Sequence, residues 1–167
     1  MTPAALLTDG FGRIVEGGTA VVEGLTEDQL TQRVGPDANT IAWLVWHLAR
    51  VQDAQIAEVA EREQVWTSQG FCNRFGLPFE PEATGYGQST EEVGQVRAPA
   101  ELLAEYLRAT HEATVRFLNN VVATELDRVV DERWDPPVTL GARLISVLED
   151  VAQHLGQANY VRGLIGA

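Results

Sequence analysis

Apolar side chains return with a helical period in four stretches of the chain. From Thr2 to Val22 the positions Leu6, Phe11, Ile14, Val15, Val21 and Val22 suit a helix, although Gly10, Gly12, Gly17 and Gly18 weaken it. Small residues there also permit a neighbouring helix to come close. A second helix is predicted from Ile41 to Ala60, with Asn39-Thr40 as its N-cap and a stripe of Ile41, Leu44, Val45, Leu48, Val51 and Ile56. A third runs from Ala100 to Val122 behind Pro99, with Leu103, Tyr106, Leu107, Phe117, Leu118 and Val121 on its core face. The fourth, Leu144 to Arg162, opens near Thr139 and shows Val147, Val151 and Ala158 on one side.

The intervening stretches read differently. Thr26 to Asp37 opens like a capped turn and ends at Gly35-Pro36. Glu61 to Val96 mixes Trp66, Phe71, Phe75, Phe79 and Tyr86 with Gly and Pro, which predicts a long ordered loop carrying short helical pieces, one of them at Ser89-Thr90-Glu91-Glu92. Asp127 to Val138 is a connection ending in Pro136-Pro137, and Val129-Val130 is too short for a strand. The expected architecture is all-α, a single four-helix-bundle domain over residues 1–167.

Composition narrows the function. The 167 residues suffice for one domain with a core, and 45% hydrophobic against 22% charged residues is ordinary for a soluble chain. The formal net charge is -12, and every one of the 12 basic residues is Arg. That balance argues against nucleic acid and anionic membranes as partners. Cys72 stands alone, so no internal disulfide or thiolate cluster forms. Asp9 and Gly10 come too early for a signal peptide and no apolar run reaches membrane length, so a cytoplasmic protein is expected.

Asp150 and His154 lie one helical turn apart on the fourth helix, beside apolar neighbours, and are expected to point inward. With His47 on the second helix they make two imidazoles and a carboxylate, a three-ligand set that leaves metal positions open. A lone histidine on an apolar helix face is ordinarily a satisfied core residue, and D-x-x-x-H by itself is a weak signal. His111 is read either as a further ligand or acid–base group, or as a half-buried histidine with a local partner. Cys72 is read as incidental. Trp43 and Trp46 are core or pocket wall, and Arg50 and Arg162 are read as surface or helix-end residues or as holders of an anionic substrate. Gln157 and Asn159 are candidates for fixing a ligand's orientation, or ordinary surface amides.

The segments NTIAWLVWHLARVQD (from Asn39), REQVW (from Arg62), FGLP (from Phe75), TGYG (from Thr84) and EDVAQHLGQANYVRG (from Glu149) together resemble the DinB-like superfamily. The resemblance runs from about Glu16 to the end. It is strongest to the actinobacterial branch related to mycothiol-dependent S-transferases and maleylpyruvate isomerase. It implies an up-down-down-up four-helix bundle with a long loop between helices 2 and 3. It also implies a divalent metal, zinc first and nickel second, on His47, Asp150 and His154. Mycothiol or a similar thiol is the implied cosubstrate. Relatives often carry histidine where this chain has Gln55 and Gln88, and glutamine does not titrate near pH 7.

The expectation is therefore a metal-dependent enzyme that transfers a small thiol to a small electrophile, in detoxification. Its pocket is expected to use Gln55, Trp66, Phe71, Tyr86, Gln88 and His111. The alternative is a non-catalytic or vestigial bundle that binds a ligand or forms a homodimer through apolar helix faces.

Overall fold

The structure, a computed structural model, describes all 167 residues. The first long helix, α1 (Pro3–Val22), starts at Thr2, whose hydroxyl accepts from the Ala5 N–H. A single capped turn, α2 (Glu27–Leu30), follows. The second long helix, α3 (Ile41–Val59), is capped by Thr40 as expected. The loop region holds three short helices, α4 (Val65–Ser68), α5 (Phe71–Phe75) and α6 (Thr90–Gln95), the last closed by a capping box between Ser89 and Glu92. The remaining long helices are α7 (Ala100–Leu118) and α8 (Leu140–Ile165).

The four long helices form a ring in which α1 and α3 each pack on both α7 and α8. The glycines of α1 explain why the helix survives them. A Cβ on Gly10 would meet Leu148 at 2.8 Å and one on Gly17 would meet Leu155 at 2.8 Å, so α8 leucines fill their places. Seven residues along α1 correspond to seven along α8, so these helices are parallel. Ala4 and Ala5 lie near Asn119, whereas Val22 lies near Ala100, so α1 and α7 are antiparallel. The bundle is thus up-down-down-up, and its core is built on Phe11, Ile41, Leu44, Leu48, Leu103, Leu107, Leu144 and Val151.

One expectation about secondary structure fails. Val129–Asp131 (β1) pairs antiparallel with Val138–Thr139 (β2), where a plain connection was expected. The strands are too short to show a period. Side-chain bonds secure the ribbon instead: the Asp131 carboxylate accepts from the backbone and guanidinium of Arg133 and from Arg143 on α8.

The long loop is fastened by buried charges. Arg50, wholly buried rather than at the surface, donates to the carbonyls of Ala83 (3.0 Å) and Pro81 (3.1 Å) and to Gln64 Oε1 (2.8 Å). One turn further, Asp53 accepts from the N–H groups of Val65 (2.9 Å) and Trp66 (2.8 Å) and from the Tyr106 hydroxyl of α7 (2.9 Å). Replacing Asp53 by Ala strands a buried guanidinium and two backbone donors, and should cost about 3–5 kcal/mol. Urea unfolding measures this, and adding Arg50→Met to Asp53→Ala should recover part of the loss.

Arg133, with help from Arg143, holds the Asp131 carboxyl well below the usual carboxylate range. As pH falls the unfolded chain takes up this proton first, so the stabilisation is full above about pH 4 and declines below it. Asp131→Asn should therefore show a smaller drop in urea midpoint between pH 6 and pH 3 than the wild type.

Candidate metal centre

His47 projects from the middle of α3, and Asp150 and His154 from α8. Ligand-type atoms of the three lie within 4.8 Å of one another. The two imidazole centroids are 4.6 Å apart and meet edge to face. The helices run antiparallel here: eight residues on from His47, Gln55 meets Arg143, which precedes Asp150 by two turns. His47 is 5% exposed, whereas the side chains of His154 and Asp150 are 17% and 41% exposed. The trio therefore lines a rim open to solvent on the α8 side, not the closed interior expected for Asp150.

Each histidine is oriented by a backbone carbonyl. His47 Nδ1 lies 2.6 Å from the Thr84 oxygen, and His154 Nδ1 lies 2.8 Å from the Asp150 oxygen. A carbonyl only accepts, so both Nδ1 atoms carry the proton and both Nε2 atoms keep a free lone pair. Burial holds the His47 imidazole below its usual pKa, against the opposing pull of the Thr84 carbonyl, with His154 lowering it further. That keeps His47 neutral at neutral pH, as a ligand must be. Asp150 Oδ2 is buried without a hydrogen-bond partner. Two free imidazole nitrogens and an orphaned carboxylate oxygen fit a divalent cation, with coordination positions left for other ligands.

The loop supplies the rest of the site. Thr84 is presented by a turn in which Gly85 has φ +98°, and a Cβ there would lie 2.6 Å from His47 Nδ1. Only glycine allows the backbone this close. The Trp43 indole stacks on the other side of the His47 ring at 4.4 Å and 14°, and its N–H donates to Gln88 Oε1 at 2.7 Å. Thr84, Gly85 and Trp43 were not singled out as a unit from sequence. A carbonyl has no residue signature, although the T-G-Y-G turn marked a special backbone.

The other expected site residues scatter. Trp66 and Phe71 are buried with Tyr106 and Phe75, at centroid distances of 5.0–5.2 Å for Trp66–Tyr106, Phe71–Tyr106 and Trp66–Phe75, and so cover the core instead of lining a pocket. Tyr86 is 93% exposed. Gln55 accepts from Arg143 at 3.2 Å. His111 faces the α1–α7 groove beside Glu16 and Arg108, across the ring from the α3–α8 seam, so it is not a fourth ligand. Gln157 and Asn159 are exposed and bond to none of the trio; Asn159 donates to the Leu155 carbonyl. The orienting role expected of them belongs to main-chain oxygens.

A family model described as mycothiol-S-transferase matches residues 13–167. A solved structure described as the conserved protein of a locus from Enterococcus faecalis is similar over 100% of this chain and 99% of its own, with 31% sequence identity and a TM-score of 0.93. No curated protein matches the chain.

Gly85→Ala should push the turn off His47 and strain a positive φ, weakening zinc binding by about tenfold or more, the range for losing an outer partner of a ligand. Competition titration with a chromophoric chelator measures this.

Proposed function

Because the chain belongs to the mycothiol-S-transferase family, we propose that it transfers a small thiol of the mycothiol type to an electrophile at a divalent cation held by His47, Asp150 and His154. One observation supports this above the others: both imidazoles are tied at Nδ1 and keep Nε2 without a protein partner, and ligand-type atoms of the two rings and of Asp150, whose Oδ2 makes no hydrogen bond, lie within 4.8 Å of one another. Zinc is the first choice for that donor set and nickel the second. A cation bound there supplies Lewis acidity that favours the thiolate of a thiol reaching it at neutral pH.

The residues of the chain divide the remaining work. The Thr84 and Asp150 carbonyls hold the imidazoles in the tautomer that can ligate. Trp43 closes off one face of His47, while the rim beside Asp150 admits the thiol and the electrophile. In the reaction the thiol loses its proton, its sulfur forms a bond to the electrophilic carbon, and the leaving group departs with the bonding pair. Gln55 and Gln88 are not proton acceptors near pH 7, so the thiol proton leaves to water at the open rim. Conjugation of this kind suits detoxification. No helix is long and apolar enough to cross a membrane.

A second reading is a non-catalytic metal-binding or ligand-binding module. It is favoured by the engagement of both glutamines, Gln55 with Arg143 and Gln88 with Trp43, in bonds within the protein. One experiment separates the two. Elemental analysis of the untagged protein should give about one ion per chain, lost in His154→Ala. The loaded wild type should then conjugate mycothiol to a chromogenic electrophile, and His154→Ala should not. Metal without turnover would favour the second reading, and no metal after incubation with zinc and nickel would overturn the first and leave only the ligand-binding form of the second.

A further inference from the structure

The turn that touches His47 directly also reaches it a second way. Thr84 to Gln88 is closed by a hydrogen bond from the Gln88 N–H to the Gly85 carbonyl at 3.2 Å. Before the turn, the Ala83 carbonyl is held by buried Arg50. After it, Ser89 is locked into the capping box that starts α6. The turn is therefore fixed at both ends. Its first residue accepts from His47 Nδ1, and its last holds the indole N–H of Trp43. That indole is the plate on which the imidazole rests.

We propose that Gln88 is a positioning residue for the metal centre, acting on His47 through Trp43. An indole N–H only donates, so the Gln88 amide oxygen is the atom that meets it. With its N–H held, the indole is restrained against turning about its side-chain bonds, and it confines the His47 ring on one face, while His154 meets that ring edge to face with its own centroid 6.2 Å from the indole. The bond from Thr84 sets the direction of Nε2 within the imidazole plane. The stacked indole sets the tilt of that plane. Two constraints of different kind thus come from one turn, and together they fix the direction of the Nε2 lone pair in a ring whose ligand-type atoms lie within 4.8 Å of those of Asp150 and His154. Such outer partners govern metal affinity without touching the metal. This inference rests on the metal reading above, and it adds a role for a residue whose side chain hydrogen-bonds Trp43 and none of His47, Asp150 and His154.

The test uses the full-length protein with zinc as the probe. Gln88→Leu keeps the bulk and removes the acceptor, and it should weaken zinc binding by about tenfold, at the low end for outer partners. Gln88→Glu keeps an acceptor and should bind at least as tightly as the wild type. Trp43→Phe keeps a stacking ring without the N–H. In that background Gln88→Leu should have no further effect, which a general loss of packing would not reproduce. Nitrogen NMR of the His47 imidazole in the metal-free protein gives a readout independent of zinc. The wild type and Gln88→Glu should give the same sharp Nδ1–H imidazole signals, and Gln88→Leu should shift and broaden them as the tilt of the ring is released. A Gln88→Leu protein with wild-type zinc affinity and an unchanged His47 spectrum would overturn the proposal, as would additive effects with Trp43→Phe. If the wild type binds no zinc, the metal reading fails, and the imidazole spectra alone decide the positioning role.

Discussion

Arg50 and Asp53 are ionisable side chains with no contact with water, one helical turn apart in the middle of α3. Each is satisfied by the loop that leaves α3 and returns to α7. Asp53 holds the two N–H groups that open α4, and Arg50 holds the carbonyls of Pro81 and Ala83. Tyr106 ties the pair to α7, and its own ionisation is pushed far up by burial and by Asp53. Buried charges of this kind are costly to leave without partners. The loop is consequently pinned to the bundle at its start, at Gln64 to Trp66, and again at Pro81 and Ala83.

That anchoring decides where Thr84 lies, since it follows Ala83 directly. The centre then combines two sources of order. Helical register within α8 places Asp150 and His154 on one face, and antiparallel packing of α3 brings His47 opposite them. Rotation of the rings is set by main-chain oxygens and by the stacked indole of Trp43. The helices supply the three donor side chains; the loop carbonyl of Thr84 and Trp43 of α3 orient the His47 ring, and α8 itself orients that of His154.

Charge in the molecule is deployed to the same end. Both arginines nearest the seam are committed: Arg50 to the loop, and Arg143 to Asp131 and Gln55. The formal charge of -12 is carried mainly by acidic residues on the outer surfaces. The chemistry of the rim therefore falls to the two imidazoles and one carboxylate, supported by uncharged groups.

The four long helices, the openings of two of them at Thr40 and near Thr139, and the pairing of Asp150 with His154 were legible in the linear sequence. Each depends on residues within one or two turns of each other, where backbone geometry translates spacing into direction. His47, about a hundred residues away, was joined to Asp150 and His154 by donor type, as one of only three histidines, and the resemblance to the DinB-like superfamily strengthened a link that local periodicity could not make. The β1–β2 ribbon was missed because five residues are too few to show alternation. Trp66 and Phe71 were misplaced because an aromatic loop residue looks the same in a pocket wall and in a core. Arg50 looked like a surface residue, since composition does not reveal that three carbonyl-type acceptors and a phenol from distant segments surround it. By itself the sequence determined the helices and the donor types, which follow from local backbone physics and side-chain chemistry. Only the tertiary structure decided burial, ring orientation and the openness of the rim, because each of these is a property of what long-range packing brings to a side chain.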